Sequence, residues 1–304
     1  MSVRIALLLL TLVLPAAAQA QLFRAYLAPD GSDANPCTLA QPCRLLPAAL
    51  TAVASGGEIW MLDSANYNTG TVNIGKSVSI LAVPGVVGSF VTTGVPALTI
   101  TADSLKVSLR NLVIVPLSGA SGSGVVMTGA SELFIEETTI ANIISGQYGV
   151  LVDGTGSVRI ANSTFRNIGG FAVAVAGSAR VSVSSSRFLG GVTAVGVQST
   201  GAGKVIVSDT AFQGAQNALV AIATSGGANV AITASRCTIE GAANALYVDG
   251  LGGGVAEIAI AGNTITQSTT PWFIGGTGVI RSFGNNQFVY TGSPVGALTS
   301  IAAQ

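Results

Sequence analysis

The sequence contains no histidine. That absence removes the Ser-His-Asp and Cys-His nucleophile arrangements, the histidine-based zinc motifs and the commonest general acid–base side chain. Charge is scarce too: 9% of the 304 residues are charged, and thirteen basic residues balance thirteen acidic ones. Without a net field the chain has nothing general to attract nucleic acid or an anionic membrane. Three cysteines are present, and Cys37 and Cys43 without a histidine are too few for a closed zinc site. Neither a metal nor a cofactor is expected. After the N-terminal residues no apolar run reaches the length that spans a bilayer, so no transmembrane segment is expected in the mature chain.

What is abundant is apolar and repetitive. Hydrophobic residues make up 49% of the chain, enough for a large core. Between Val107 and Phe288 the segments VSLRNLVI, LFIEETTI, VRIANSTF, VSVSSSRF, VIVSDTAF, ITASRCTI, IAIAGNTI and RSFGNNQF follow one another. They end on Ile114, Ile140, Phe165, Phe188, Phe212, Ile239, Ile265 and Phe288, at intervals of 23 to 27 residues. A period in the twenties with short apolar strands and no helical pattern predicts a β-solenoid. A second strand precedes each segment (GVVM at 124, GVLV at 149, AVAV at 172 and their successors), and a third starts at the terminal apolar residue. Three short strands per coil define an all-β, single-stranded parallel β-helix, whose right-handedness follows from the general crossover preference. Two residues before the last seven of these positions stand Thr138, Ser163, Ser186, Thr210, Cys237, Asn263 and Asn286, small groups able to satisfy one another from coil to coil.

The flanks divide the chain into four parts. Residues 1–20 read as a signal peptide: Arg4, an apolar Ile5–Leu14, and Ala18-Gln19-Ala20 as the cleavage site. Export to the periplasm or the exterior is therefore expected. Residues 21–56 hold a strand, a turn-rich loop and a short capping helix with Leu46, Leu50 and Val53 on one face, ended by Gly56-Gly57. In an exported chain Cys37 and Cys43 read as a local disulfide, with two free thiols as the alternative. Residues 57–290 form the β-helix and 291–304 a tail that caps its far end or hangs loose.

Together with GSDANPC…PCR…AAL…GGE ahead of the first coil, these repeats resemble the secreted right-handed parallel β-helix proteins of the pectate-lyase-like superfamily. The resemblance implies that fold over nearly all of the mature chain. It leaves the activity open, because lyases, hydrolases, esterases, tailspikes and adhesins share the architecture.

The repeat register places the charged residues. Asp153 and Asp249 occupy equivalent positions four coils apart, ~19 Å at strand spacing, beyond the ~5–9.5 Å of paired glycosidase acids. The pairs Lys106–Glu132, Arg110–Glu136 and Asp209–Arg236 read as cross-coil surface ion pairs. On the sheet where the lyases and esterases of that superfamily carry their acids and bases, the outward residues are Val126, Leu151, Ala174, Gly196, Val220, Tyr247 and Phe273, none of them charged. Tyr247 and Phe273 are placed to stack on sugar rings or to pack under the tail. Arg159, Arg166, Arg180, Arg187 and Lys204 follow one another with no acid between Gly154 and Ser208. They read either as solvated charge or as a band for an anionic polysaccharide or other acidic envelope component. The sequence thus favours a non-catalytic binding or envelope-structural protein, with catalytic residues unknown; the alternative is a carbohydrate-active enzyme, a polysaccharide lyase or hydrolase with a divergent site.

Overall fold

The computed structural model describes residues 21–144 and 146–302; the expected signal peptide lies outside them. The chain winds into stacked coils whose strands form three parallel sheets of nine, twelve and ten strands. In chain order within a coil they are called sheets 1, 2 and 3. A representative coil contributes Val150–Val152 to sheet 1, Ser157–Ala161 to sheet 2 and Thr164–Arg166 to sheet 3. Strands pair in register with their equivalents, as in Val125↔Val150↔Val173↔Val195 on sheet 1, with one shift between Leu22 and Arg24 where the first strand meets Val53–Met61.

The terminal apolar residues sit at the centre of the sheet-3 strands and point inward. Phe165, Phe188 and Phe212 are buried and stack face to face, with centroids 4.8 and 5.1 Å apart. Identical side chains one strand step apart place their rings at van der Waals distance, and the burial of each ring is added to by offset stacking.

Between sheets 2 and 3 the chain turns sharply at one residue. Asn111, Glu137, Asn162, Ser185, Asp209 and Arg236 all take the left-handed conformation, with φ between 48° and 54°. That conformation is costly for most side chains, and after Glu137, Asn162, Ser185 and Asp209 the next residue holds it. Thr138, Ser163, Ser186 and Thr210 are buried, and each hydroxyl donates back across the corner to a carbonyl at 2.7–2.8 Å. The same oxygen accepts the backbone N–H of the preceding coil, as from Thr138 to Ser163 at 3.2 Å. Asn263 extends the row by accepting from Cys237 N–H at 2.9 Å and donating to Asn286 Oδ1 at 2.9 Å. The row predicted from sequence is therefore a corner clamp that also ties coil to coil.

At the N-terminal end a disulfide joins Cys37 and Cys43. The helix covers Leu46–Ala52, with Pro47 in its first turn and Leu46, Ala49 and Leu50 buried. It stops before the predicted end. Val53 is buried as the first residue of strand Val53–Met61 and pairs with Leu22. A β-branched residue fits that strand better than a last helical turn. Gly57 lies inside this strand; a Cβ there would come within 2.4 Å of Phe23 O, so only glycine admits the edge strand Leu22–Leu27. At the other end the tail is ordered over its described part. Val295 bridges to Phe273, and Thr299–Ser300 adds the last strand of sheet 2.

Candidate functional site

Alternation along the sheet-1 strands turns one residue of each apolar triplet outward. Val150 and Val152 are buried while Leu151 between them is partly exposed. Outward along the sheet stand Val126, Leu151, Ala174, Gly196, Val220, Tyr247 and Phe273 in one register. Phe171 folds over Gly196, where a Cβ would meet the ring at 2.4 Å, and packs against Tyr148 with centroids 6.2 Å apart. Tyr148 and Phe171 precede the sheet-1 apolar triplets, so reading only those triplets missed them. Tyr247 and Phe273 stack on each other at 4.7 Å. The tail continues their row at Val295 and runs beside them.

The carboxylates near this face do not converge. Asp153 and Asp249 occupy the same row four strands apart. Asp249 Oδ1 is buried without a hydrogen-bond partner among the described residues, and its carboxylate lies over the bare backbone of Gly275. Burial, and the neighbouring Asp249 carboxylate, hold the Tyr247 hydroxyl above its ordinary pKa.

The ion pairs follow register with one correction. Arg236 and Asp209 form a two-pronged bridge at 2.7 and 2.8 Å, which draws the Asp209 pKa down. Lys106 and Glu132 meet loosely at 3.9 Å. Arg110 bonds to Glu137 at 3.1 Å, although Glu136 is its register partner. The corner falls between the two glutamates, and the left-handed Glu137 turns its carboxylate toward Arg110 while Glu136 stays on the outer face of sheet 2. Arg24–Glu58 and Arg281–Glu257 complete the pairs at 2.6 and 2.8 Å.

The five consecutive cations fall outside this pairing. Arg159, Arg166, Arg180, Arg187 and Lys204 are exposed. Among the described residues none of them bridges to a carboxylate or donates a side-chain hydrogen bond. The fold divides them between two faces. Arg166 and Arg187 stand on sheet 3. Arg159, Arg180 and Lys204 project from sheet 2, where Arg180 and Lys204 are direct register partners on neighbouring strands. These three line a shallow depression of about 420 Å³ together with Ser157, Ser182, Ile206 and Thr233. A second depression of about 500 Å³ adjoins it, sharing Arg159 and Ser182 and adding Phe134, Glu136, Ala161 and Ser184. Phe134 faces outward between buried Leu133 and Ile135, with the Arg159 guanidinium 5.9 Å from its ring centre. Its outward parity in LFIE was the available signal.

A family model described as "Right handed beta helix region" matches residues 120–290. No curated protein matches the sequence. Among solved structures, an alginate lyase from Paenibacillus sp. str. FPU-7 is similar at 15% identity and a TM-score of 0.65, covering 91% of this chain and 100% of that one. Pectate lyase Pel9A is similar at 14% identity and a TM-score of 0.67, covering 94% and 82%. At such identities the likeness is one of fold alone.

Proposed function

The chain belongs to the right-handed β-helix family, and from that premise we propose that it is an exported, non-catalytic protein that binds an anionic polysaccharide or other acidic envelope component. The observation that carries this reading is the cluster of Arg159, Arg180 and Lys204 on one face of sheet 2, exposed and without a protein acceptor among the described residues. Elsewhere along sheet 2 the cations Arg24, Lys106, Arg110 and Arg281 each have a carboxylate partner. A stretch that departs from this habit is where a ligand's negative charge would be met. Export would remove residues 1–20, and the Cys37–Cys43 bridge suits an oxidising compartment. The uncharged row Val126 to Phe273 supports the absence of chemistry on sheet 1.

A second reading, catalysis on a divergent sheet-1 site, is favoured by one observation. The buried, unpartnered Asp249 Oδ1 beside Tyr247 is an acceptor that a substrate hydroxyl could satisfy. A glycan-array screen run in parallel with assays for new reducing or unsaturated ends separates the two readings. Binding of acidic glycans without product supports the first. Product formation that Asp249→Asn abolishes supports the second.

A further inference from the structure

We propose that the binding site is a trough on the outer face of sheet 2, running parallel to the coil axis from Phe134 to Ile206, and that it holds a linear acidic glycan lengthwise. This rests on the reading of the protein as an anionic-polysaccharide binder and gives it a place, a direction and an anchor. The two depressions share Arg159 and Ser182 and so form one continuous channel. Phe134, Arg159, Ser182 and Ile206 occupy one register row on four successive strands, a length of ~14 Å at strand spacing. Arg180 and Lys204 stand two residues to one side of that row.

Each side chain has a separable part to play. The small Ser157, Ser182 and Ser184 leave the floor low, so that a chain settles between the long cations. Arg159, Arg180 and Lys204 supply donors to carboxylates or sulfates, two of them with the planar fork that suits such groups. Phe134 offers a half-buried, outward-facing ring at one end for a sugar face, and Ile206, 58% exposed, offers apolar surface at the other. Glu136 lines the Phe134 end and has lost its register partner to Glu137. It repels an anion there and fixes where the acidic groups of the ligand fall. Arg166 and Arg187, around the corner on sheet 3, are outside the trough.

Nothing in the fold itself accounts for Arg180 beside Lys204. Like charges on directly paired residues of neighbouring strands oppose folding. A bound anion would turn that repulsion into attraction.

The test is fluorescence anisotropy with labelled oligouronate on the full mature chain, with a sulfated glycan, single-stranded DNA and anionic lipid vesicles as parallel arms. Circular dichroism of each variant confirms folding. Arg159→Ser, Arg180→Ser and Lys204→Ser are each expected to weaken oligouronate or sulfated-glycan binding by ~10-fold or more. Phe134→Ala should weaken it ~2- to 10-fold with the salt dependence unchanged. Glu136→Gln should tighten it. The double variant Arg166→Ser/Arg187→Ser should stay within about 2-fold of wild type, because exposed charges around the corner are screened. If that double variant loses binding while the three sheet-2 variants keep it, the trough is wrong and the binder reading survives. Wild type that binds no acidic glycan overturns both, and preference for DNA or vesicles overturns the ligand class.

Discussion

At Cys237 a thiol takes the place held by a hydroxyl or amide elsewhere in the corner row. It donates to Ser235 O at 3.3 Å and is buried, and burial pushes its pKa up to about 11 from 9.0. The folded protein should therefore leave Cys237 unreacted with a thiol reagent at pH 8, and denaturation should expose one reactive thiol. The linkage has a definite sign. Between pH 9 and 11 the unfolded chain loses this proton and the folded one keeps it, so stability falls as pH rises, by up to ~2–3 kcal/mol. The stability difference between wild type and Cys237→Ala, read from denaturant titrations, should be constant below pH 9 and shift against wild type as pH rises from 9 to 11. At Arg180 stability and binding pull in opposite directions. Arg180→Glu replaces a like-charge neighbour of Lys204 with a partner and should stabilise the fold by ~0.2–1 kcal/mol, measured by urea denaturation, while removing glycan binding. A loss of both would mean that Arg180 is a structural residue.

Among the elements, the phenylalanine stack and the corner row carry the coil. Phe188 is buried between Phe165 and Phe212, and Phe188→Ala should cost ~3–5 kcal/mol, read as a drop in the denaturation midpoint. Asn263→Ala strands the N–H of Cys237 and the carbonyl of Ala234 in the interior and should cost ~2–4 kcal/mol by the same measurement. Both features were legible in the sequence, because residues facing the interior must repeat where the coil repeats. The helix end was not: Val53 satisfies the helical spacing from Leu46 and Leu50 as well as the strand that follows, and pairing with Leu22 decides it. The Arg110 partner was not legible either, since the corner between Glu136 and Glu137 is a matter of backbone conformation. The division of the cations could be read from their distance to the apolar landmark. Arg159, Arg180 and Lys204 stand six to eight residues before a phenylalanine, on sheet 2, whereas Arg166 and Arg187 adjoin one, on sheet 3.

As a whole the molecule is a stack in which each coil touches only its neighbours, so surface rows build up one strand step at a time. Sheet 1 offers an apolar row with stacked aromatics, and sheet 2 offers paired charges interrupted by an unpaired basic stretch. The trough depends on adjacent coils contributing in register, and no single repeat contains it. The central claim is that this face binds an acidic glycan and leaves it intact. Isothermal titration of wild type with a polyuronate, followed by chain-length analysis of the recovered polymer, tests it most directly. Saturable binding that weakens as salt is raised is expected, with polymer length unchanged; no binding at low salt, or a shortened polymer, would overturn the binder reading.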